Sequence, residues 1–181
     1  MFFTTASLLW LSHLFTHLAW GQARQFDMQL EDLRIFGHSD YFDNAYGELE
    51  MNDDDQLVAN VRFEIRQNLD DLCNVRFKAY RLRNGEYLEF YERQAVSLCD
   101  FVEQNQIILT DLAQYGNLPS HCPYTPKDIQ INGYRLDPKV FPDDLSSMDV
   151  KADTVISCKS DNGENVEALK IFAKIRIVDI A

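Results

Sequence analysis

The sequence is short of the residues that build catalytic and metal centres. Past residue 22 it holds two histidines, His38 and His121, more than eighty positions apart. It has no Gly-x-Ser-x-Gly and no His-Glu-x-x-His, and with seven glycines in all it has no phosphate-cradling glycine-rich loop. Those gaps argue against a hydrolase elbow, a zinc protease and a nucleotide enzyme, so no catalytic activity is expected. No Cys-x-x-Cys pair occurs. Zinc wants closely spaced Cys and His ligands, so neither a metal nor any other cofactor is expected. The paired acids Asp70 and Asp71, and Asp143 and Asp144, are adjacent in loops and read as solvated side chains, as does the acidic turn NDDD at 52–55.

Positive charge is absent from the amino terminus. All 46 acidic and basic residues lie beyond Gln22, and the formal net charge is −12. A surface of that sign repels phosphate backbones and excludes nucleic acid as a partner. The first 21 residues are rich in Leu, Phe and Trp and too short for a comfortable membrane span, with Ala19 and Gly21 spaced for a signal peptidase. A leader over 1–21, cut after Gly21, is the expectation, although its n-region lacks Lys and Arg. No second hydrophobic run is long enough to cross a bilayer. The remainder, 22–181, reads as one soluble, exported domain.

Export changes the meaning of the four cysteines, Cys73, Cys99, Cys122 and Cys158. An even number in an oxidising compartment favours two disulfides.

Alternation dominates the rest. Residues 61–69 set Val61, Phe63, Ile65 and Leu69 against Arg62, Glu64 and Arg66, the period of a half-buried strand. Residues 74–82 alternate through Val75, Phe77 and Ala79 and slip phase at Tyr80 and Leu82, as a bulge or a strand packed on both faces would. Asn84-Gly85 then marks a hairpin whose second strand is EYLEFYERQAVSL. A second hairpin joins 148–158 to 167–178 through a turn at 160–163. Weaker strands are read at 26–36, 45–51 and 128–136. Seven or eight strands make this a mainly β chain, a two-sheet antiparallel β-sandwich or cup.

One segment departs from that period. Residues 99–117 carry Phe101, Val102, Ile108, Leu109 and Leu112 at helical spacing, with Asp100 placed to cap the start and Gly116 to stop it. One amphipathic helix inserted between strands is predicted. The stretch SHCPYTP follows at 120–126. His121 and Cys122 are neighbours in an extended chain and point to opposite faces, so a Cys/His nucleophile is not expected and His121 reads as a solvated loop residue. Cysteines bound the helix on either side. Of the three connectivities that four cysteines allow, we favour Cys99 with Cys122, which leaves Cys73 with Cys158.

The order of these features resembles a known family. Cys99, Asp100 and Phe101 at the helix start, Cys122, Pro123 and Tyr124 in the loop, and Pro142 before the penultimate strand are similar to insect secreted chemosensory proteins of the CheA/CheB type. The resemblance covers about residues 26–180. It implies kinship with the lipid-recognition β-cup superfamily that includes the ganglioside activator, hence sheets splayed around an apolar ligand. It further implies a carrier or presenter of lipids or pheromones in sensory perception of chemical stimuli, with a chemoreceptor as partner. The chain has fewer cysteines than the ganglioside activator and no Asn-x-Ser/Thr sequon.

A cup needs an apolar lining. Phe63, Ile65, Phe77, Ile171 and Ile175 either line such a cleft or fill a core, and Ile108, Leu109 and Leu112 are placed to close it as a lid. The competing reading is an extracellular receptor-interaction module that offers its β surface and binds no small molecule.

Overall fold

The computed structural model describes residues 26–140, 146–160 and 162–180. The leader read at 1–21 and Pro142 lie outside them. Eight strands occur among the described residues: β1 Phe26–Gly37, β2 Phe42–Met51, β3 Leu57–Ile65, β4 Cys73–Arg83, β5 Glu86–Ser97, β6 Lys127–Tyr134, β7 Met148–Lys159 and β8 Asn165–Asp179. They form two antiparallel sheets, one in the order β1-β8-β7-β4-β5 and the other in the order β2-β3-β6.

Local sequence accounts for the hairpins. Asn84 and Gly85 both hold positive φ, 51° and 84°, the pair of left-handed residues that a tight two-residue turn demands. In the acidic turn Asn52 Oδ1 accepts from the backbone N–H of Asp54 and of Gln56 at 3.0 and 2.9 Å, so the turn is held by its own side chain. The phase slip read at Tyr80 is a register shift: Ala79 pairs with Tyr91 but Tyr80 with Glu89. This leaves Phe90 as an extra residue on β5. The strand read at 61–69 stops at Ile65. Leu69 instead makes an isolated bridge with Tyr124, with mutual backbone hydrogen bonds of 2.8 and 2.9 Å.

The single helix predicted over 99–117 is two short ones, α1 Leu98–Gln104 and α2 Gln106–Ala113. Asn105 breaks them: its side-chain amide donates to the Phe101 carbonyl at 2.6 Å, an alternative to continuing the helix ladder. The cap is Ser97, whose Oγ accepts from Asp100 N–H at 3.1 Å, not Asp100 itself. Gly116 does not terminate the helix either. It bridges to Ile131, and Asn117 N–H reaches the Gln130 carbonyl at 3.1 Å, so this stretch lies as a strap along β6.

Both disulfides are formed. Cys73 and Cys158 pair directly across β4 and β7, and Cys99 at the start of α1 joins Cys122. The main core packs Ile35, Phe42, Ile65, Leu69, Val75, Val102 and Ile129 between the sheets. Three strands cannot cover five. The helices occupy the shortfall, α1 against β4 and β5, and α2 against β6 and the turn Pro138–Val140. The outer face of the larger sheet is laced with ion pairs, Arg176 to Glu31 and Asp149 at 2.6 and 3.1 Å and Lys78 to Glu89 and Glu92 at 2.9 and 3.2 Å.

Candidate functional site: an apolar hollow between the sheets

The sandwich is not filled. A cavity of about 300 Å³ lies between the sheets, large against the voids of an ordinary core, which rarely exceed a water molecule. Its lining follows from register. On the larger sheet Leu30, Leu33 and Ile35 of β1 pair with Ile175, Ala173 and Ile171 of β8, and all six face the cavity. Ala173 is small, which deepens the floor. On the other side Ala59, Val61, Phe63 and Ile65 of β3 and Ile131 and Tyr134 of β6 complete the walls. Leu98 and Val102 of α1, Leu109 and Leu112 of α2, and Leu118 of the strap close the helical side.

Phe63, Ile65, Ile171, Ile175, Leu109 and Leu112 therefore stand together around one hollow. Two of the residues named from the sequence do not. Phe77 shares the inner face of the larger sheet with Ile171, through the register Phe77, Thr154, Ile171, but it sits two strands away and packs on Tyr91 with ring centroids 6.0 Å apart. Ile108 is half-buried on α2 and does not reach the lining, because the helix turns its Leu109 and Leu112 edge inward. No residue of α2 is fully buried. Leu109 packs against the main core and Leu112 against the cluster of Ala59, Ile131 and Tyr134, so one short helix bridges two packed groups above the void.

Sequence reasoning missed Leu33, Ile35, Phe42, Val102, Tyr124 and Tyr134. For β1 a signal existed: Leu33 and Ile35 alternate. Leu30 is out of phase with them because the register shifts between Leu30 and Asp32, which hides the shared face from a simple period-two count. The tyrosines carried no such signal, since a phenol on a strand serves either face and Tyr124 lies in a loop with no period.

Those two tyrosines are themselves part of the lining. Burial pushes the Tyr124 hydroxyl up to about 12, since the phenolate would be stranded away from water. Tyr134 is raised as well, first by burial, then by the charge of Asp111 and a hydrogen bond to it. Tyr115 stacks edge-on against Tyr134, ring centroids 5.2 Å apart. His38 and His121 are both exposed and lie in loops.

Geometry thus defines a class: a disulfide-linked β-sandwich with an apolar hollow beneath a helical cover. Residues 74–152 match the model of a family, DUF1091, described as a protein of unknown function. The match runs from β4 through both helices and β6 into β7, so it holds the cover, while β1, β2, β3 and β8 of the walls lie outside it. No curated protein matches the chain.

Proposed function

We propose that this protein is an exported carrier or presenter of hydrophobic small molecules, with the ligand's chain held in the hollow between the sheets. The observation that carries this reading is the cavity of about 300 Å³ whose lining is apolar throughout. Such a void lies at the lower end of ligand-pocket sizes. At about 30 Å³ per water-sized group, it accommodates roughly ten methylenes. An alkyl chain entering it leaves water at about 25 cal/mol per Å² of apolar surface, and the preformed walls spare it the cost of ordering the protein. The resemblance to CheA/CheB-type proteins and the lipid-recognition cups supports the same reading and adds a chemosensory setting. Export rests on the leader read at 1–21 and agrees with both disulfides. Among the described residues no helix is long and apolar enough to cross a membrane.

Organic extraction of protein purified from its natural secretion, followed by mass spectrometry, tests the proposal. A reproducible long-chain compound in stoichiometric amount is the expected result, and an empty protein that also fails to bind added long-chain compounds overturns it.

One observation favours the interaction-module reading. Strand β5 is one of the two edge strands of the larger sheet and exposes Leu88, Phe90 and Tyr91 at 46, 48 and 48%. Exposed edges of this kind accept a further strand. Leu88→Lys and Tyr91→Lys would abolish receptor capture in that case.

A further inference from the structure

The chemistry at the covered end of the hollow bears on which chains enter it. Among the described residues no lysine, arginine or histidine lines the cavity. An acid, Asp111 of α2, stands next in sequence to the lining residue Leu112. Its Oδ2 is buried and has no hydrogen-bond partner. Tyr134, whose ring lines the hollow, feels the negative charge of the same carboxylate, and Asp137 adds a second beside that phenol. Tyr115 closes the cluster against Tyr134. Arg135, next to Tyr134, pairs instead with Asp27 at 3.1 Å.

We propose that the hollow selects uncharged long-chain molecules, such as fatty alcohols, esters and hydrocarbons, and rejects fatty-acid anions of the same length. The inference rests on the carrier reading and deepens it. A carboxylate drawn into an apolar cavity needs a cation or several donors to replace its water. This lining supplies neither, and Asp111 repels it. A hydroxyl or ester head brings no charge to desolvate.

The test is displacement of the neutral fluorophore N-phenyl-1-naphthylamine from the mature protein at about pH 7.5, where a fatty acid is ionised. The competitors are 1-dodecanol, methyl dodecanoate and dodecanoate. The alcohol and the ester are expected to displace it, and dodecanoate to do so at least about tenfold more weakly, a modest share of what burying an uncompensated charge costs. In Asp111→Asn the gap between dodecanoate and its methyl ester should narrow several-fold, with 1-dodecanol little changed. Equal displacement by dodecanoate and its ester in the wild type overturns the selectivity, since the anionic head is then left in water at the mouth. An unchanged gap in a folded Asp111→Asn protein removes Asp111 from the explanation. Failure of every competitor and of the fluorophore to bind overturns the carrier reading itself.

Discussion

Gly116 lies so close to Gln130 that a Cβ built on it would stand 1.8 Å from the Gln130 carbonyl oxygen. The contact is backbone against backbone, so no flexible side chain can yield. It is what lets the strap after α2 lie flat on β6 and hold the helical cover down. Gly116→Ala should peel the strap away and cost about 1–3 kcal/mol, as other unrelieved overpacking does. Urea unfolding measures the loss, and probe affinity should fall with it as α2 shifts. A change under about 0.5 kcal/mol, the scale of an ordinary surface substitution, would show that the strap is not seated there.

The cover itself is tested by three substitutions on one helix. Leu109→Asp and Leu112→Asp place a charge at the lining and should lower affinity for long-chain compounds by at least about tenfold, because a carboxylate resists leaving water. Ile108→Asp, one residue away and off the lining, should leave affinity unchanged. Equal effects at all three positions would mean that the helix, and not its inward edge, is what matters.

The two disulfides close loops of different length, separations of 23 and 85 residues. In the chain-entropy model the Cys99–Cys122 bond stabilises by roughly 3.5 kcal/mol and the Cys73–Cys158 bond by roughly 4.5. Cys99→Ser with Cys122→Ser should therefore lower stability less than Cys73→Ser with Cys158→Ser, while loosening the cover more. Denaturant unfolding gives the first comparison and probe affinity the second.

Alkaline pH should destabilise the fold. Tyr124 keeps its proton up to about 12 when folded, while an exposed tyrosine gives it up near 10. The folded state thus binds more protons above about pH 10, and stability falls as pH rises through that window; below it the contribution is fully present. The loss should approach about 2–3 kcal/mol by about pH 12, and Tyr134, raised in the same direction, steepens the decline. Tyr124→Phe should flatten the slope. Chemical unfolding at a series of pH values between about 9 and 12 checks it.

Much of the fold was legible because strand signals are local. Period-two alternation marks Phe63 and Ile65, or Ile171 and Ile175, within a few residues, and Asn84-Gly85 specifies its turn by backbone sterics alone. The helix boundaries were less legible. Asp100 has the chemistry of a cap, but Ser97 stands where its oxygen meets the right N–H, and the break at Asn105 depends on a side chain folding back on its own backbone. For the site, alternation showed which residues turn inward without showing which inward residues meet a void. Phe77 and Ile171 carry the same pattern on the same face, and only strand order separates them.

Sequence by itself determined the strands, the hairpin turns, the absence of a recognisable catalytic motif and the inward identity of most lining residues, since each depends on neighbours along the chain. Tertiary structure decided that five strands face three, that short helices cover the difference, and that about 300 Å³ between them stays unfilled. A void is a property of what fails to touch. It depends on the summed volumes and placements of residues from Leu30 to Ile175, and no local stretch of sequence contains that sum.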